Sequence, residues 1–239
     1  MICRAADIGG SINKNMQIVK LTRDYVIINK PIGMPSQADP SNDPDALSTA
    51  SLLLRKMGEN SSLWLVHRLD RTVGGLLIFA RGARAAAILS ESLGTEDFVK
   101  EYLAVCEGNP VAGEYRDLIY KDSRISKAFI VDKKRTGVKE ARLTLSPIES
   151  RDERTLVRVR LHTGRYHQIR VQLAHRKCPL VGDGKYGSRD KGARSPALFA
   201  YHLAFKYKGE SYEYFASPDV TEYPWSMFAE TIKREVEND

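Results

Sequence analysis

Trp64-Leu-Val-His-Arg-Leu-Asp-Arg-Thr-Val-Gly-Gly-Leu-Leu-Ile-Phe-Ala80 is the stretch on which the fold turns. Two apolar runs flank a polar knot, His67-Arg68-Leu69-Asp70-Arg71-Thr72, and the second run follows Gly74-Gly75. Apolar runs bounded by turn formers read as buried strands, and the knot reads as the loop that joins them. Asp70 then stands between Arg68 and Arg71 on a loop anchored at both ends. Such a carboxylate suits a catalytic site, or a salt bridge that merely closes a turn. The segment alone favours the turn; the rest of the chain reverses that order.

Upstream, residues 18–21 and 25–28 read as strands, the second running into Asn29-Lys-Pro-Ile-Gly-Met-Pro35. Lys30 falls at the strand end, two prolines stiffen the loop beyond it, and Gly33 permits a tight turn. Residues 36–45 read as a polar surface connection. Residues 45–57 read as a helix with Leu47, Leu54 and Met57 on one face, and 83–93 as a second helix. Further strands are expected over 98–106, which carries Tyr102, and over 115–120, 127–131, 140–145, 156–161, 198–207 and 211–215. The segment after Gly164 reads as a helix burying Ile169 and Leu173. Strands outnumber helices, so the expectation is an α+β fold built mainly on antiparallel sheet. Residues 1–17 read as a short extension, and 218–239 as a C-terminal segment ending in a frayed acidic tail.

The 239 residues carry a formal net charge of +7. Between Arg151 and Lys177 there are eight Lys or Arg and two acidic residues, so nearly the whole excess lies in that stretch. In 156–161 the arginines alternate with apolar residues, which makes one strand face cationic. A local basic surplus attracts a polyanion, and structured nucleic acid is the leading partner. The basic loop 133–137 suits phosphate contact or a solvated turn equally. Cys3, Cys106 and Cys178 are odd in number and far apart, which argues against a disulfide framework or a zinc site and fits a reducing compartment. No apolar run approaches the ~18 residues of a membrane span. The glycine-rich 179–187 lacks phosphate-loop or dinucleotide spacing. The expectation is a cytoplasmic monomer with neither cofactor nor metal and no membrane partner.

Four blocks in order then carry a resemblance: Asn29-Lys-Pro-Ile-Gly33, His67-Arg-Leu-Asp70, Lys100-Glu-Tyr-Leu103, and Thr163-Gly-Arg-Tyr-His-Gln-Ile-Arg170 followed by Val181-Gly-Asp183. Over about residues 18–217 the chain resembles the RluA-type family of RNA pseudouridine synthases. The resemblance implies a bent, mostly antiparallel mixed sheet with flanking helices and a central catalytic cleft. It also implies isomerisation of a uridine in structured RNA, ribosomal ahead of transfer RNA. Asp70 matches the essential aspartate, as nucleophile or base, Tyr102 the active-site tyrosine, and Arg170 the arginine that pairs with the aspartate. His67, Arg68, Arg165, His167 and Gln168 are expected to contact substrate. Burial would oppose ionisation of Asp70, and a forked arginine would restore it. The target base must leave its stack, which calls for a pocket and a basic rim.

Three departures stand out. Val73-Gly74 occupies positions where the family commonly has Thr-Ser, Phe199 stands for a usual histidine, and Tyr166 for a usual threonine. The altered loop after Asp70 motivates a second reading, a non-catalytic RNA-binding or assembly protein of the same architecture. A third, an enzyme for a small phosphorylated metabolite, rests only on the basic cluster and the glycine-rich turns.

Overall fold

The computed structural model describes residues 16–237, so most of the N-terminal extension lies outside the described residues. Eleven strands form one sheet: β1 (Gln17–Leu21), β2 (Tyr25–Lys30), β3 (Trp64–Leu65), β4 (Gly74–Ala80), β5 (Phe98–Glu107), β6 (Gly113–Asp122), β7 (Lys127–Val131), β8 (Val138–Arg151), β9 (Arg154–Leu161), β10 (Leu198–Tyr207) and β11 (Glu210–Phe215). The order is β1-β2-β4-β10-β5-β9-β8-β6-β7, with β3 added to β4 and β11 to β10. Among the described residues, only the β4–β10 pair is parallel. Four helices flank the sheet: α1 (Ala46–Lys56), α2 (Ala83–Ser92), α3 (Gln168–His175) and α4 (Ala229–Glu237). The expected α+β class with a mostly antiparallel mixed sheet is what forms.

The continuous apolar runs of β2 and β4 follow from burial on both faces. Val26, Ile28, Leu77 and Phe79 pack with Ala46, Ala50 and Leu54 of α1 on one side. Ile27, Leu76 and Ile78 pack with Ala85 and Leu89 of α2 on the other. The α1 face extends along the sheet through Tyr102, Ala104, Val157 and Val159 to Ile169 and Leu173 of α3. Behind β5 and β9, Leu103, Val105 and Leu156 are covered by Trp225, Phe228 and Ile232. The cleft is lined by residues 35–39, the β3–β4 loop, Lys100 and Tyr102 of β5, and the segment leading into α3.

Several expectations are corrected. Met57 is 50% exposed; α1 instead buries Ala46, Thr49, Ala50 and Leu54, a stripe one turn nearer its N-terminus. Asp45 caps that helix, its carboxylate accepting from Ser48 N at 2.9 Å. Helix α3 starts at Gln168 rather than just after Gly164, because His167 takes a left-handed conformation (φ 53°) that interrupts the helical path. The acidic C-terminus is no frayed tail through Glu237: it is α4, held by the fully buried Ile232.

The contact between β4 and β10 brings two sequence departures together. Gly74 pairs with Phe199 and Gly75 with Ala200. A Cβ on Gly74 would lie 3.3 Å from the Phe199 ring, so the missing side chain at one position makes room for the ring at the other. Gly75 has φ +114°, and a Cβ there would meet the Ala200 backbone, 2.7 Å from its nitrogen. Gly75→Ala is expected to cost roughly 3 kcal/mol, combining left-handed strain with a backbone clash. Asp45→Ala, which removes only a cap, should cost about 1 kcal/mol. Urea denaturation of both variants checks this ranking.

Candidate active site

The loop between β3 and β4 is held by its backbone. Ser36 Oγ donates to Leu69 O (2.8 Å) and accepts from Leu69 N (3.0 Å), and Gly33 N donates to Arg71 O (2.8 Å). Val73 N closes the turn onto Asp70 O at 3.0 Å. Leu69 and Val73 point into the core, which leaves Asp70 projecting the other way. Its side chain retains 28% exposure and opens into a cleft of ≈ 1010 Å³. Segment 36–45 is therefore more than a connection: buried Ser36 pins the loop that carries Asp70.

Burial pushes the Asp70 carboxyl above its usual range; Arg170, Lys30 and Arg68, in that order, pull it back, and Asp183 opposes them. The arginine's fork is not on Asp70. Arg170 Nε and Nη2 donate to Asp183 Oδ2 and Oδ1, both at 2.7 Å, and the two residues are 5% and 1% exposed. This corrects the expected Arg170–Asp70 pair: Asp183 fixes Arg170, which acts on Asp70 through its field. Lys30, fully buried at the end of β2, donates to Pro31 O (3.0 Å) and Met34 O (2.7 Å). Burial lowers its ammonium pKa to about 7, against the attraction of Asp70. The two neighbouring arginines in sequence do not clamp Asp70 either. Arg71 pairs with Asp43, and Arg68 is exposed at the rim.

Aromatic rings build the walls. Tyr102 on β5 is 6% exposed, lines the cleft, and has its hydroxyl pKa pushed up by burial and by Asp70. Opposite it, Tyr166 stacks on His167 at 3.8 Å between centroids, and Lys121 Nζ sits 4.4 Å from the Tyr166 ring. His167 Nε2 lies 3.7 Å from Asp70 Oδ2, but burial and Arg170 push this imidazole down to about 3, so the contact joins a neutral ring to the acid at pH 7. Tyr186 Oη accepts from Ala128 N at 2.8 Å and lies 2.9 Å from His167 Nδ1. With that hydroxyl donating to Nδ1, the ring proton resides on Nε2, facing Asp70.

All eight residues singled out from the sequence line the cleft, yet their situations differ. Asp70, Tyr102, His167 and Arg170 converge. Arg68 is exposed, and Arg165 is half-buried with Nε donating to Glu140 O at 2.7 Å. Gln168 is committed to the fold: its Oε1 lies 2.8 Å from Thr163 Oγ1 and accepts from Arg165 N at 3.0 Å, and its Nε2 donates to Arg142 O at 3.1 Å. His67 has both ring nitrogens buried without partners, and burial pushes its pKa down to about 3. Sequence reasoning noted Lys30 and Tyr166 without giving them a place in the site, and missed Tyr186 and the pairing role of Asp183. Asp183 lay inside a recognised block, whereas nothing local marks Tyr186. Among the described residues, no group of three or more His, Cys, Asp or Glu side chains is arranged to hold a metal.

Two outcomes follow from these pairings. Asp183→Ala strands a buried guanidinium and should destabilise the fold by about 3–5 kcal/mol, whereas Tyr186→Phe should cost about 1 kcal/mol; denaturant titration compares them. Lys30 has a folded pKa of about 7 against 10.5 when free. Between these values the unfolded chain holds more protons, so this group's penalty is full below pH 7 and lifts as pH rises to 10.5. Lys30→Met should therefore flatten the rise in unfolding free energy between pH 7 and pH 9, read by urea melts at both.

Comparison with known proteins bears on this geometry. The family model described as RNA pseudouridylate synthase matches residues 24–175. The chain is 36% identical over 170 residues to ribosomal large subunit pseudouridine synthase D of Xanthomonas campestris, covering 69% of this chain and 50% of that protein. It is 34% identical over 184 residues to the synthase of the same name from Yersinia pestis, covering 74% and 54%. It thus spans about half the length of these curated relatives. The solved structure of human RNA pseudouridylate synthase domain containing 4 superposes with a TM-score of 0.73 at 21% identity, covering 90% of this chain and 92% of that one, a likeness of fold. With a matched family model spanning Asp70, Tyr102 and Arg170, the chain belongs to the RNA pseudouridylate synthase family.

Proposed function

We propose that this protein isomerises a specific uridine to pseudouridine in structured RNA, with ribosomal RNA favoured over transfer RNA and Asp70 as the essential group. The observation that carries the reading is the convergence of Asp70, Tyr102 and the Asp183-held Arg170 in one cleft. The reaction breaks the bond from N1 to the ribose carbon and forms one from C5 to that carbon. C5 loses its proton and N1 gains one, so atoms and electrons balance without an oxidant or metal. Asp70 is suited to act as nucleophile or base once its fixed cations hold it ionised. Tyr102 offers a flat ring to an extruded base and a hydroxyl beside the acid. Arg68 and Arg165 at the rim suit phosphates. The proposal has the protein acting as a cytoplasmic monomer, without cofactor or metal.

The departures in sequence weigh less against catalysis than they do on paper. Gly74 and Phe199 fit one another, and Tyr166 forms a wall of the cleft. The deciding experiment maps pseudouridine across total RNA from cells with the gene, without it, and carrying Asp70→Asn. One site lost in both altered strains is expected, with the purified variant slower by at least about a hundredfold and RNA affinity retained. Every site persisting in the deletion would overturn the reading and favour the non-catalytic RNA-binding alternative.

A further inference from the structure

The cations around the cleft are mostly spoken for. Lys30 is taken by two carbonyls, Arg170 by Asp183 and Arg71 by Asp43. Lys185 donates to Ser126 O, Arg165 to Glu140 O, and Lys121 lies over the Tyr166 ring. Lys100 differs. It is half-buried on β5, lines the cleft, and among the described residues its ammonium takes part in no hydrogen bond or ion pair. Its nearest aromatic partner is Phe98, whose ring centroid lies 5.9 Å from Nζ.

The surroundings of Lys100 sharpen the point. A Cβ built on Gly164 would lie 3.9 Å from Lys100 Nζ, so the ammonium sits under the loop that precedes α3. On the other side is His67, whose ring nitrogens are buried and unpartnered and whose ring packs edge-on against Phe98 at 6.0 Å. Burial lowers the Lys100 ammonium pKa with no acid to restore it. An ammonium held partly out of water without a counter-charge costs stability, and a cleft that keeps one is short of an anion.

The position of Lys100 says which anion. It lies two residues before Tyr102 on β5, so the two share a strand face about 7 Å apart along the strand. That spacing is comparable to the reach from a nucleotide's glycosidic carbon to its own phosphate. We infer that Lys100 binds a backbone phosphate of the nucleotide whose base lies against Tyr102, making it a substrate-positioning residue of this cleft. The inference rests on the RNA reading above and extends it by naming the group that grips the extruded nucleotide. Gly164 permits the approach, since its missing side chain leaves room above the ammonium. Arg68, exposed at the rim, serves the RNA outside the cleft, whereas Lys100 serves the one nucleotide inside it.

The test uses the full chain labelled at lysine carbons and aromatic rings, with uridine 5′-monophosphate and uridine as probes. Lys100→Arg identifies the Lys100 Cε signal by its loss. The expected result is that the monophosphate raises the apparent pKa of Lys100 by at least one unit, while uridine moves Tyr102 ring signals and leaves Lys100 alone. Lys100→Met should weaken the monophosphate about ten- to hundredfold and uridine hardly at all, with Lys100→Arg restoring most of the loss. On the RNA identified by mapping, Lys100→Met should raise KM with kcat little changed. If the monophosphate shifts Tyr102 but leaves Lys100 titrating as before, the Lys100 assignment is overturned and the RNA reading survives. If neither probe perturbs Tyr102 or Lys100 and cellular RNA is unmodified, both fall.

Discussion

A carboxylate set in a cleft whose burial disfavours its charge, with fixed cations opposing that burial, is the constraint behind this architecture. Burial drives the Asp70 carboxyl up, and the two largest opposing contributions come from buried cations held by other partners. Arg170 is locked by two 2.7 Å bonds to Asp183, and Lys30 by two carbonyls. Cations fixed in this way do not swing onto Asp70 and neutralise it as a tight pair. They stabilise its negative form at a distance and leave its oxygens open to the cleft.

That division of labour explains the fold around the site. Asp70 comes from the β3–β4 loop, Arg170 from α3, Asp183 from the glycine-rich segment beyond it, and Lys30 from the end of β2. These parts are far apart in the chain, and their relative positions are set by one long sheet with helices on both faces. Ser36 and the Gly33 N–H hold the Asp70 loop by its backbone, so its side chains need not spend their polar atoms on the fold. The parallel contact of β4 with β10 depends on Gly75, the point where backbone approach leaves no room for a Cβ.

The aromatic wall is a second layer of the same design. Lys121, Tyr166 and His167 form a stack, and Tyr186 reaches from a short turn to within 2.9 Å of His167 Nδ1. His167 is neutral beside Asp70, so it shapes the site without cancelling its charge. Tyr166 departs from the family's usual residue and is nonetheless built into this stack.

Much of this was legible in the chain. Period and punctuation mark the strands, because an apolar run bounded by glycine, proline or charge has few other ways to be buried. Asp70, Tyr102 and Arg170 stand in recognisable blocks, and all three line the cleft. What local pattern could not supply was which acid each base meets. Arg170 looked like the partner of Asp70 and chose Asp183; Arg71 looked like its clamp and chose Asp43. The start of α3 and the buried stripe of α1 also shifted, since the left-handed His167 and the packing of the sheet override helical periodicity. Sequence determined most of the elements, because those depend on short-range spacing, and its resemblance to a family singled out Asp70, Tyr102 and Arg170, which the fold gathers in one cleft. Tertiary structure alone decided the pairings and the state of each charge, because both depend on distance through space and on how much water remains.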